Sequence, residues 1–229
     1  GQVSGEGNYD ALDRAIGSIL EKSGATAVLP PLPVSYGEDN RGTTEIYYPG
    51  KVLMAPDGGR LYVADSGNNR ILAIDPASGD ILETIGSGVK GLTDGEYDKA
   101  AFKNPQGMAL VDGILYVADT GNHALRAVDP GERRVRTITG DGMQARFRAE
   151  GGGAGSARLN SPWDIVYLDG RLYIAMAGPH QLWFYDPDAR KVGVYAGSGR
   201  EDIIDGALPN AALAQPSGSR RPPSGPPCS

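Results

Sequence analysis

The sequence predicts an all-β fold in which one four-stranded antiparallel unit is used repeatedly, preceded by a single α-helix. Three observations point there. A motif returns at matched intervals: Tyr62, Tyr116 and Tyr173 stand 54 and 57 residues apart, and Asp75, Asp129 and Asp186 repeat those intervals. The apolar runs inside the motif alternate with period two, the signature of half-buried strands. Finally, the chain holds 34 glycines and 17 prolines among 229 residues, a turn density that suits many short strands better than long helices.

The elements follow in order. Asn8 or Asp10 can cap a helix whose Leu12, Ile16, Ile19 and Leu20 form one apolar stripe, with Gly24 as its stop. Residues 25–44, with Pro30, Pro31 and Pro33 and the run from Gly37 to Gly42, read as a linker. The first unit is led by Pro49. It contains Val52-Leu53-Met54, an alternating run around Leu61 and Val63, Ile71 to Ile74 ending at Asp75-Pro76, and Ile81 to Ile85 ending at Gly86. Asp-Pro marks a turn because proline cannot donate to a strand ladder. The second unit carries Ile114 to Asp119 and Ala124 to Asp129-Pro130; the third carries Arg171 to Met176 and Gln181 to Asp186-Pro187.

Leading prolines stand at 49, 105, 162 and 216, the last three closing Gly-rich links opened by Gly86-Ser-Gly88, Gly140-Asp-Gly142 and Gly197-Ser-Gly199. Four short strands per repeat, repeated, is the pattern of β-propeller blades. The blades fall at about 49–88, 105–142 and 162–199, with the start of a fourth at 216. Three blades cannot close a ring, so the expectation is a partial propeller spanning 45–218. Residues 219–229 lack apolar periodicity and read as a disordered tail.

Composition narrows the function. Lys+Arg 22 against Asp+Glu 28 leaves a net charge of −6, and no basic run is present to grip nucleic acid. No stretch approaches the roughly 18 consecutive apolar residues of a membrane helix. Residues Gly1 to Asp10 lack the charged start and apolar run of a signal peptide. The single cysteine, Cys228, excludes an internal disulfide framework, a CxxC pair and a cysteine zinc site. The cytoplasm is therefore the favoured compartment, with no nucleic-acid or membrane partner.

Asp65 and Asp119 recur at a turn with Asn68 and Asn122. These read as structural: the carboxylate accepts backbone N–H groups while Gly and Asn supply positive φ. In the third unit Met176 replaces the aspartate. His123 and His180 occupy the same place in neighbouring units, where the first unit has Asn69. By parity of strand direction, the turn between the second and third strands lies on the same face as the links. That face gathers His123, His180, Met176 and the link carboxylates Asp94 and Asp205 as the candidate interaction face. Calcium coordination needs several converging oxygens, but no DxDxDG loop is present; the Gly-x-Gly pairs lack the Gly-Lys-Ser/Thr of a phosphate cradle. Trp163, Trp183 and Tyr185 read as filling within and between blades. No Ser/His/Asp, Cys/His or Gly-x-Ser-x-Gly constellation can be assigned, so no catalytic, cofactor-binding or metal residue is expected.

The segments Asp65-Ser-Gly-Asn-Asn-Arg-Ile71 and Asp119-Thr-Gly-Asn-His-Ala-Leu125 resemble the NHL repeat, whose units form blades of usually six-bladed propellers. Asn104-Pro-Gln-Gly107, Ser161-Pro-Trp-Asp164, Ile174 to Gln181 and Ala214 to Gly218 are similar to the NHL-repeat proteins that carry an N-terminal thioredoxin-like domain. The resemblance covers about residues 4 to 218. It implies that residues 1–24 are the C-terminal helix of a thioredoxin-like domain whose cysteines would precede residue 1. The function then expected is a non-catalytic binding or scaffold module that engages a protein partner through its loop face, without a cofactor. Two alternatives stand beside it: a metal-dependent propeller hydrolase or lyase, and thiol-disulfide chemistry in the upstream domain. Open blade edges also predict self-association.

Overall fold

The computed structural model describes residues 45–146 and 149–220 together with Arg14, Gly17, Ser18 and Glu21, and the chain divides into two compact units, residues 1–40 and 41–229. In the first unit the four described residues are helical. The rest of the expected helix, the 25–44 linker and the tail beyond Arg220 lie outside the described residues.

The second unit is all β. Its first sheet runs β1 (Val52–Met54), β2 (Leu61–Asp65), β3 (Arg70–Ile74) and β4 (Ile81–Ile85), paired in that order and all antiparallel. A short strand, β5 (Gly95–Glu96), precedes β6 (Pro105–Val111), β7 (Ile114–Asp119), β8 (Ala124–Asp129) and β9 (Arg134–Thr139). Another, β10 (Gly151–Gly153), precedes β11 (Pro162–Leu168), β12 (Arg171–Met176), β13 (Gln181–Asp186) and β14 (Lys191–Ala196). The innermost strands β6 and β11 follow the prolines at 105 and 162, and neighbouring sheets stack through them. This is an open run of three propeller blades.

Turn chemistry explains the hairpins. Asp112-Gly113 and Asp169-Gly170 have φ of 48° and 80° in both cases, the doubly left-handed pair that a two-residue hairpin requires. At the Asp-Pro turns the carboxylate accepts a local backbone N–H: Asp75 from Ala77 at 2.7 Å, Asp129 from Gly131 at 2.9 Å and Asp186 from Ala189 at 2.9 Å. The repeated Asp-Pro therefore serves as an Asx turn.

Blade packing follows from strand alternation. Along β7, Leu115 and Val117 join a buried cluster with Ile71, Ile85, Phe102 and Met108. The intervening Tyr116 and Ala118 face a second cluster with Leu159, Ile165, Ile174 and Trp183. Blade 2 is thus apolar on both faces and sits between its neighbours. Trp183 and Tyr185 are buried in the second cluster, where they fill the space between blades 2 and 3.

The links are more ordered than their composition predicts. The first two cross to the next blade and each adds a fifth, outer strand: β5 pairs with β9, and β10 with β14. At Gly151 a Cβ would lie 2.2 Å from the Val192 carbonyl oxygen. Only glycine permits that edge pairing, and period-two apolarity does not reveal a strand made of glycine.

Candidate functional site

The face that holds the links is built from the turn between the second and third strands of each blade. In blade 1 a 3-10 turn, Ser66–Asn68, follows β2; in blade 2 the turn Thr120–Asn122 follows β7. Asp65 is fully buried and accepts the Tyr47 N–H at 2.7 Å, the Asn68 amide at 2.9 Å and Arg70 Nε at 2.8 Å. Asp119, equally buried, accepts the Lys103 N–H, the Asn122 amide and Arg126 Nη1, each at 2.8 Å. Burial pushes the Asp119 carboxyl up, while Arg126, Asn122 and the Lys103 N–H all favour its charged form.

The following glycine completes the clamp. Gly67 N–H donates to the Tyr47 carbonyl at 2.8 Å, and Gly121 N–H to the Lys103 carbonyl at 2.9 Å. A Cβ at these glycines would stand 2.5 Å and 2.7 Å from the same carbonyl oxygens. Close approach, not positive φ, is the reason for glycine. The left-handed residue is the one after the asparagine: Asn69 at φ 53° and His123 at φ 49°. The expectation that Gly and Asn68 or Asn122 would supply positive φ is thereby corrected. Those asparagines donate to the aspartate instead.

The structure separates the five residues expected on the interaction face. His123 and His180 are half-buried at equivalent corners. Their Nδ1 atoms accept the N–H of Ser161 at 3.0 Å and of Gln215 at 3.2 Å. Asp94 anchors its link to blade 2, accepting from Arg126 Nη2 at 3.0 Å, Thr137 N–H at 3.0 Å and Thr137 Oγ1 at 2.7 Å. Asp205 stands at the same offset in the third link and is exposed. Met176 does not belong to the face: it is fully buried among Leu159, Trp183 and their neighbours. A thioether is apolar, so losing the aspartate turns this corner into core rather than surface.

Two groups of residues were not singled out by sequence reasoning. Arg126 is fully buried, joins Asp119 to Asp94, and takes two further carbonyls, Ala101 at 2.8 Å and Thr93 at 2.9 Å. The second group stands two residues after each leading proline: Lys51 and Asp164 line a cavity, with Gly107 packed against Asp164 and Gly218 beside Lys51 Nζ. Lys51 Nζ reaches the Ser217 carbonyl at 3.0 Å and lies 3.7 Å from Asp164 Oδ2, which accepts the Ser219 N–H at 2.6 Å. The cavity there has a volume of 460 Å³, with Leu53, Met108, Leu110 and Tyr167 among its walls. The offset from the prolines was the available signal for this group.

Chemically, the face presents backbone clamps, two unprotonated histidine nitrogens acting as acceptors, and exposed apolar side chains on the links. Val89 and Met143, each three residues beyond the glycine that opens its link, are 66% and 57% exposed. Among the described residues no group of three or more His, Cys, Asp or Glu side chains converges to hold a metal.

The comparisons with known proteins agree with this geometry. The NHL repeat family is matched over residues 102–127, a segment that spans the Asp119 clamp and its Lys103 partner. The chain is 38% identical over 228 residues to protein SUPPRESSOR OF QUENCHING 1, chloroplastic, of Arabidopsis thaliana, covering 95% of this chain and 22% of that protein. It is also 38% identical over 227 residues to NHL repeat-containing protein 2 of Gallus gallus, covering 90% of this chain and 29% of that protein. The chain thus spans less than a third of the length of these relatives. Among solved structures, an auxiliary nutrient binding protein from Bacteroides ovatus shares the fold with a TM-score of 0.57 at 19% identity, over 75% of this chain and 42% of that one. A chain whose first two blades carry the Asp–Gly clamp, and which aligns along nearly its whole length with NHL repeat-containing proteins, is an NHL-repeat β-propeller.

Proposed function

We propose that this run of blades is a non-catalytic binding or scaffold module whose link face engages a protein partner, within a parent that carries a thioredoxin-like domain upstream. One observation carries the reading. The first two links present a large apolar side chain at the same position, Val89 and Met143, and leave it exposed to water. Clustered exposed apolar groups rimmed by polar ones mark protein interaction surfaces. The backbone around them is held by the Asp and Gly clamps and by the Asp94 anchor, so a partner would meet a preorganised surface at low ordering cost.

The test is a cross-linking capture with the complete parent protein, run beside its Val89→Ser, Met143→Ser double variant. A partner recovered with the parent and lost with the variant supports the reading. A catch indifferent to both substitutions, or no reproducible partner, overturns it.

A further inference from the structure

The blades are joined by a recurring side-chain staple. At the left-handed corner after each turn, one side-chain acceptor takes the N–H of the residue that precedes the next leading proline. Asn69 Oδ1 accepts the Asn104 N–H at 3.1 Å, His123 Nδ1 accepts the Ser161 N–H at 3.0 Å, and His180 Nδ1 accepts the Gln215 N–H at 3.2 Å. The three residues so held share a left-handed backbone, with φ of 51°, 53° and 41°. That conformation is strained for a non-glycine residue and is further disfavoured before proline. The staple holds the strained corner in place.

The three acceptors differ in one respect. An amide oxygen accepts at any physiological pH, whereas an imidazole nitrogen accepts only while it is unprotonated. We propose that the propeller carries a built-in acid-sensitive seam: lowering the pH releases the staple at His123, between blades 2 and 3, and leaves the blade 1–blade 2 junction, held by Asn69, closed. A protonated Nδ1 on His123 would set a donor against the Ser161 N–H, and the corner would lose its restraint.

The surroundings of the two histidines differ. Lys103 is the charged group facing His123, and in the link beyond it Asp141 and Arg158 pair with each other at 2.8 Å. Burial first, and the Lys103 charge second, hold His123 below its ordinary value of 6.5. For a histidine lowered in this way, the stabilisation is complete above 6.5 and is lost as pH falls through the folded value. His180 Nε2 lies 3.9 Å from Glu201 Oε2 on the third link.

Amide hydrogen exchange of the chain, corrected for the intrinsic pH dependence, reads each staple separately. Between about pH 8 and about pH 5, protection at Ser161 should fall as the pH drops below 6.5, by up to about tenfold per pH unit until the folded value of His123 is passed, while Asn104 holds. His123→Asn should remove the acid sensitivity at Ser161 alone. Equal behaviour at Ser161 and Asn104, or unchanged protection at Ser161 in acid, overturns the proposal. The comparison of Ser161 with Asn104 in the unsubstituted chain decides it even if the variant does not fold.

Discussion

Arg126 Nη1 meets Asp119 Oδ2 at 2.8 Å with neither side chain exposed, and blade 3 carries Met176 and Trp183 at the corresponding two positions. The same architectural place is therefore filled once by a buried ion pair and once by an apolar pair. A buried ion pair and a well-packed apolar pair of similar volume can be of comparable stability, whereas half of an ion pair is not. Arg126→Met alone leaves the Asp119 charge buried and should destabilise the chain by about 3–5 kcal/mol. Adding Asp119→Met should recover part of that loss. Urea unfolding of both variants tests this; a double variant as damaged as the sum of its parts would refute it.

Gly107 packs directly against Asp164, where a Cβ would come within 2.4 Å of Asp164 Cα and 2.9 Å of the Ile165 backbone nitrogen. Backbone atoms cannot swing aside, so Gly107→Ala should cost about 1–3 kcal/mol by forcing the inner strands apart. Gly155, around which nothing lies within 4 Å, should accept alanine without loss. Thermal unfolding of the pair separates local crowding from a general intolerance of substitution.

The Tyr97 hydroxyl is buried without a hydrogen-bond partner, under the guanidinium of Arg133, whose carbon sits 4.9 Å from the ring centre. Burial and the nearby Glu83 push the phenol up to about 12. The fold thus favours the neutral phenol: its contribution is complete below the ordinary value of 10.0 and is lost as pH rises towards about 12. Spectrophotometric titration should show a tyrosine step at about 12, above those of the other tyrosines raised by burial, Tyr116 and Tyr185, and Tyr97→Phe should remove it. Because the hydroxyl gives up water for nothing in return, the phenylalanine variant should be at least as stable as the parent.

Thr120 Oγ1 donates to the Pro162 carbonyl as Ser66 Oγ donates to that of Pro105, so the turn of one blade holds the leading strand of the next. Thr120→Val keeps the shape and deletes the donor. It should cost about 1 kcal/mol in denaturant unfolding. An unchanged midpoint would show that this bond contributes nothing net.

Much of the fold was legible. The prolines at 49, 105 and 162, the Asp-Gly hairpins and the Asp-Pro turns are local signals, each with a backbone reason that acts over two to four residues. The Asp65 and Asp119 turns were legible as structural for the same reason. The outer strands were not, because Gly95 and Gly151 carry no side chain to show a period. Met176 was misplaced because its position is defined by repeat alignment, while its environment is set by Trp183 and Leu159, distant in sequence. Arg126 went unnoticed for a related reason: in the other blades the same place holds Leu72 and Trp183.

The amino-acid sequence by itself determined the strand-and-turn grammar, the number of blades in this run and the NHL repeat from which they are built, since those depend on short-range periodicity and backbone geometry. Only the tertiary structure decided which polar side chains are staples, which line the cavity and which face water. Those roles arise when residues some 30 to 40 positions apart, such as His123 and Ser161 or Asn69 and Asn104, are brought together by blade stacking. Hydrogen bonding and burial are properties of that juxtaposition rather than of either residue alone.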